Sequence, residues 1–179
     1  MKRALAAACC LALLATPAIS QKKHAHAARM AATPMTDQQF IDMAAQTDML
    51  EAHLGQMAAN QAASQDVKDY AQMLVTDHTS DYQQLTELAA KDNLTVPKGL
   101  DAERNKMIAP FDKLNGKAFD QRYIHEMIEG HTKAIAVYTK ESSDAQNGDV
   151  KSYAAATLPT LQKHLDGAKD LAKKPAAKK

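Results

Sequence analysis

From Thr36 to Ala172 the apolar side chains return every three or four positions along four long segments, and this constrains the fold more than any other feature. Phe40, Met43, Ala44, Thr47, Leu50, Leu54, Met57 and Ala58 form the first stripe. Val67, Tyr70, Ala71, Leu74, Tyr82, Leu85, Leu88 and Ala89 form the second. The third carries Phe119, Tyr123, Ile124, Met127, Ile128, Ala134, Ile135 and Tyr138, and the fourth Val150, Tyr153, Ala154, Leu158, Leu161, Leu165 and Ala168. This spacing marks one wet and one buried face of a helix, and it does not fit the strict alternation of a half-buried strand. Six Gly and six Pro in 179 residues are also too few for the frequent turns of a sandwich or barrel.

Local signals punctuate the helices. Thr36 and Gln39 make a capping box, and the first helix is expected to run from there to about Ala63. Ser64, with Asp66 in the first turn, is expected to cap the second, which ends near Lys91-Asp92-Asn93. With a residue or two between them, the two must fold back as an antiparallel hairpin. Leu94 to Gly116, holding Pro97, Gly99, Pro110 and Gly116, is too long for a tight turn. It reads as a crossover along the bundle, with a short helix over Asp101 to Ile108 that Pro110 interrupts. The third helix is expected from Lys117 to about Ala145, stopped by Asn147-Gly148. Asp149 is expected to cap the fourth, which Pro159 should kink. The fold class is therefore all-α: a four-helix bundle of two antiparallel hairpins with a long crossover containing a short helix. The pattern is weakly two-fold, without a convincing sequence repeat.

The flanks carry different signals. Lys2 and Arg3 precede an apolar stretch from Ala4 to Ala15, and Ala18 and Ser20 supply small residues for cleavage before Gln21. Residues 1–20 thus read as a signal peptide, which predicts a periplasmic or secreted protein. Residues 21–35 read as a flexible linker, 36–172 as the helical bundle domain, and 173–179 as a basic disordered tail. Cys9 and Cys10 both lie in the segment to be removed, so the mature chain has no disulfide to rely on. No transmembrane segment is expected in the mature chain. The bundle carries 13 basic and 21 acidic residues, a net charge of −8 that repels phosphate and argues against nucleic-acid binding. The basic ends are candidates only for weak contact with anionic envelope surfaces.

Function turns on the polar residues that share the apolar stripes. At about 100° per residue, Glu51 falls within the first stripe, with His53 on its flank. His78 lies near the centre of the second, with Asp81 inside and Asp77 at the edge. Asp120 and His131 face inward in the third, and His164 lies inward in the fourth. Glu126, Glu129 and His125 face away. Heights measured from the hairpin turns, at roughly 1.5 Å per residue, place Glu51, His78, His131 and His164 in one central layer. Asp120 stands about three turns from His131, too far to share an ion. Three imidazoles and a carboxylate from four helices are a reasonable set of ligands for Zn, Fe, Mn or Cu, with Asp77 and Asp81 as outer partners. A polar layer that merely fixes helix register would use the same residues. The His24-Ala25-His26 stretch reads as solvated linker, and the Met residues as core filler. No phosphate loop, nucleophile elbow or mature Cys points to other chemistry.

Several elements together resemble a known bacterial family. They are Glu51-Ala52-His53-Leu54-Gly55 with Met57-Ala58, Val67 with Tyr70-Ala71, Asp77-His78, Gly116 with Phe119-Asp120 and Tyr123, His131, and Leu158-Pro159 with Leu161 and His164. In this combination the chain resembles domain of unknown function family 4142 over about Thr36 to Leu171. The resemblance implies a ferritin-like bundle and export, and it supplies no reaction. The recurrent polar residues it implies are Glu51, Asp77, His78, Asp120, His131 and His164. The Glu-x-x-His of ferritin-like di-iron proteins is missing: Val75, Ile128 and Leu161 stand three places before the three histidines. This argues against di-iron oxygen chemistry.

The reading favoured by the sequence is a non-enzymatic exported bundle with a candidate transition-metal layer. Its alternatives are a metal-dependent envelope enzyme acting on peroxide or another redox stress species, and a structural interaction module.

Overall fold

A computed structural model describes residues 35–174. The expected signal peptide, nearly all of the linker with His24 and His26, and the last five residues of the tail lie outside that range. The described chain is all-α. Four long helices, α1 (Asp37–Gln61), α2 (Gln65–Lys91), α4 (Gly116–Asp144) and α5 (Gly148–Lys173), form the bundle, and a short α3 (Ala102–Ile108) lies on the crossover. A 3-10 turn, Ala109–Phe111, follows α3 at Pro110.

The most extensive packing joins α1 to α2 and α4 to α5, the two hairpins, while α1 against α4 and α2 against α5 seal them together. Close approach within the first hairpin depends on Gly55, where a Cβ would meet Val75 Cγ2 at 2.6 Å and the Ala71 carbonyl oxygen at 3.0 Å. The hairpin turns lie at opposite ends of the bundle, and each is clamped by a carboxylate from the other hairpin. Asp120 of α4 accepts from the backbone N–H groups of Ala63 and Ser64, and Asp37 of α1 accepts from those of Gln146 and Asn147. Four donors that have no partner within their own turns are satisfied in this way.

The capping box at Thr36 is present in full, with Gln39 N–H donating to Thr36 Oγ1 and Thr36 N–H donating to Gln39 Oε1. Two other caps differ from expectation. Ser64 occupies the N-cap position of α2, but its hydroxyl makes no capping bond, and Asp120 bonds the backbone N–H of Ser64 itself. The fourth helix is capped by Asn147 rather than Asp149, since the Asn147 side chain reaches the N–H groups of Asp149 and Val150. Asp149 lies in the first turn and pairs with Lys91 across the hairpins. α5 continues through Pro159 as one helix, with Pro159 on its exposed side.

The core is layered along the bundle axis. One apolar cluster, centred on Leu54, Leu74, Phe119 and Tyr123, fills the end at the α1–α2 turn. Another, centred on Phe40, Leu85, Tyr138 and Ala154, fills the opposite end. Phe40 and Tyr138 meet edge to face at 4.9 Å in the second. Between the clusters every bundle helix switches to polar side chains: Asp48 and Glu51 on α1, His78 on α2, His131 on α4 and His164 on α5.

Candidate metal centre

These five side chains are all buried, His131 completely. A nitrogen from each of His78, His131 and His164 can be chosen so that the three lie within 4.8 Å of one another. Glu51 Oε2 stands 3.0 Å from His78 Nε2 and 3.3 Å from His131 Nε2, and His131 Nε2 stands 3.2 Å from His164 Nδ1. Three imidazole nitrogens from α2, α4 and α5 thus converge, and a carboxylate oxygen from α1 stands beside two of them.

The outward nitrogen of each ring is held by a fixed partner, and those partners assign the tautomers. His78 Nδ1–H donates to Asp48 Oδ1 at 2.8 Å, His131 Nδ1–H to the Met127 carbonyl at 2.9 Å, and His164 Nε2–H to Asp77 Oδ2 at 2.9 Å. A carbonyl or an ionised carboxylate can only accept, so opposite such a partner the outward nitrogen carries the proton. In their neutral form, rings held this way would turn lone pairs inward, beside the Glu51 carboxylate. Protons or a cation must then fill the middle. Glu51 Oε2 and His78 Nε2 are both buried without an aligned hydrogen bond, although they are close together. Such a buried, convergent and incompletely satisfied donor set fits a cation, and the carboxylate and carbonyl behind the imidazoles orient them as outer-shell partners do in metal sites.

The electrostatics of the layer are strongly coupled. Burial alone would raise the Glu51 carboxyl, but the charges of His131 and His78 outweigh it and bring its pKa down to about 2. Burial would also strip His78 of its proton, and the Glu51 and Asp48 carboxylates overcome this and hold its pKa well above the usual imidazole value. Asp48 is pushed up to about 7 by burial, against the pull of His78. His164 moves the other way, to about 4, because burial outweighs its bond to Asp77. The shifts of Glu51 and His78 thus favour opposite charges on this acid and this base within the buried layer.

The remaining candidates have separate places. Asp77 touches His164, with its side chain one-third exposed. Asp81 accepts from the Tyr153 hydroxyl at 2.7 Å instead of touching an imidazole. Asp120 belongs to the hairpin clamp. His53 and His125 are exposed, and Glu126 and Glu129 bond Arg122 and Lys133 outside the bundle. Asp48 is the residue that sequence reasoning overlooked. Its signal was present: Ala44, Asp48, Glu51 and Gly55 follow each other at four, three and four residues, so Asp48 shares the buried face while Thr47 falls toward its margin.

Fold and site together define a class: a four-helix bundle with a buried layer of three histidines and two carboxylates between two apolar clusters. The chain belongs to the family described as Domain of unknown function (DUF4142), whose pattern matches residues 20–171. Among solved structures it is similar in fold to CopM in the Cu(II)-bound form, at 17% identity and a TM-score of 0.65, over 77% of this chain and 96% of that one. The Cu(I)-bound form gives 18% and 0.62, over 75% and 94%. The Ag-bound form gives 17% and 0.61, over 75% and 93%. No curated protein matches the chain. Among the described residues, no helix is long and apolar enough to cross a membrane.

Proposed function

We propose that this protein is an exported metal-holding bundle that binds one divalent transition-metal ion through Glu51, His78, His131 and His164. The observation that carries the reading is the inward convergence of three imidazole nitrogens, with the Glu51 carboxylate beside those of His78 and His131 and each ring fixed from behind. Imidazole with one carboxylate and no thiolate suits Cu(II), Zn(II) or Fe(II) better than a soft monovalent ion. The fold is one in which CopM holds copper or silver, and export is supported by the signal-peptide pattern of residues 1–20. Four protein ligands would fill a tetrahedral shell, which favours holding an ion over turning over a substrate on it, since catalytic sites keep an open coordination position.

Titrating the metal-stripped chain from Gln21 onward with Cu(II) and Zn(II) tests this. One equivalent is expected to bind the wild type, and His78→Ala and His164→Ala are each expected to lose it while remaining helical. Equal uptake by all three proteins would overturn the reading. A loss of thermal stability in the variants, with no metal bound by any of them, would leave the layer as a packing device.

A further inference from the structure

The metal reading leaves open how an ion reaches a layer with a fully buried His131. Along the axis the way is barred at both ends by apolar clusters, in which a divalent cation would lose its hydration without replacement ligands. The sides differ from one another. Between α2 and α5 a groove of about 770 Å³ runs over the surface, and His78 and His164 are part of its lining. Asp77, Asp81, Glu87 and Asp149 line it as well. Of its two lysines, Lys91 is paired with Asp149. The groove is thus acidic and ends on two of the three imidazoles. Asp77 spans the boundary, with its side chain 32% exposed and its carboxylate bonded to His164 Nε2, whose ring is 1% exposed.

Building on the metal reading, we propose that the ion enters and leaves the centre through this α2–α5 groove, with Asp77 and His164 as its inner door. Carboxylates along a cleft concentrate cations at its floor. An ion drawn to Asp77 competes with His164 Nε2–H for the same oxygen. When that bond opens, the His164 ring is released to turn toward the groove and carry the ion to the waiting nitrogens. Glu51 and His131 do not line the groove and stay in place as the fixed half of the centre.

The test obstructs the groove without touching a ligand. Thr160 and Ser80 are exposed residues of its two walls, and Thr160 lies one helical turn before His164. Thr160→Trp combined with Ser80→Trp is compared with Gln56→Trp on the exposed side of α1. Cu(II) uptake is followed by stopped-flow absorbance, its release by chelator challenge, and its affinity by equilibrium competition. The groove variant is expected to slow uptake and release together by about tenfold with unchanged affinity, the signature of a raised barrier on one path. Gln56→Trp is expected to match the wild type. Wild-type rates in a folded, metal-binding groove variant would overturn the route and leave the metal reading intact. A wild-type chain that takes up no Cu(II) at all would overturn both.

Discussion

His164 Nδ1 faces His131 Nε2 across 3.2 Å in the middle of the bundle, and each ring's other nitrogen is already committed, to Asp77 and to the Met127 carbonyl. Two neutral rings so arranged would set lone pair against lone pair. A shared proton or a bound cation removes that conflict, and Glu51 beside them supplies the compensating negative charge. The same two contacts explain why the layer is specific as well as polar: each imidazole has one orientation in which its outer hydrogen bond survives.

Asp48 should govern affinity without being a ligand. It holds His78 by Nδ1 and adds negative charge behind the ring. Asp48→Asn is expected to weaken binding by about 10- to 100-fold while keeping one equivalent per chain. Equilibrium competition against a chelator of known affinity measures this. Wild-type affinity in the variant would remove Asp48 from the site.

Metal uptake should release protons. His78 holds its proton above the normal imidazole range in the metal-free layer, and an ion arriving at Nε2 must displace it. Apparent affinity is therefore expected to rise with pH through neutrality and to fall in acid. Calorimetry in buffers of different ionisation enthalpy reports the number released. A value of zero at pH 7 contradicts a protonated His78.

Metal-free stability carries its own pH signature. The folded state pulls His164 down to about 4, whereas the unfolded chain protonates it near the ordinary value of 6.5. The unfolded state then binds the extra proton between those values, so this group withdraws stability as pH falls from about 6.5 to about 4. Asp48, raised to about 7, acts in the opposite sense: its contribution is present in acid and lost as pH rises through 7. The clean measurement is a difference. In urea melts with a chelator present, His164→Gln is expected to lose less stability than the wild type over that window, and parallel curves would refute the assignment.

Asp120 should prove structural. Its two carboxylate oxygens satisfy the Ala63 and Ser64 N–H groups, some three helical turns from the imidazoles. Asp120→Ala is expected to cost about 1.5–3 kcal/mol, the scale of hydrogen bonds lost to a charged group, with metal stoichiometry unchanged. Denaturant unfolding and metal titration of the same variant separate the two effects. Loss of the ion with intact stability would place Asp120 in the site instead.

The α1 capping box, the hairpins, the short helix before Pro110 and the buried setting of Glu51, His78, His131 and His164 were all legible from spacing alone. A helix has one period, and an interruption of its apolar stripe by a charged residue is visible in one dimension. The choice between Asp149 and Asn147 as a cap was less legible, because both are good capping residues and only the chain path decides which side chain reaches the free donors. Asp48 was missed for a related reason: Thr47 fits the same stripe, and a single helix does not reveal which margin of its apolar face its neighbours cover.

Sequence by itself determined the four amphipathic helices, their pairing into hairpins and the level at which polar residues interrupt the core, because these follow from local periodicity and short connections. Tertiary structure alone decided that Asp120 and Asp37 clamp opposite turns, that Asp48 rather than Asp81 stands behind His78, and which nitrogen of each imidazole points inward. Those are contacts between residues far apart in the chain. Their geometry depends on the rotation of each helix about its own axis, which is fixed only when all four pack together.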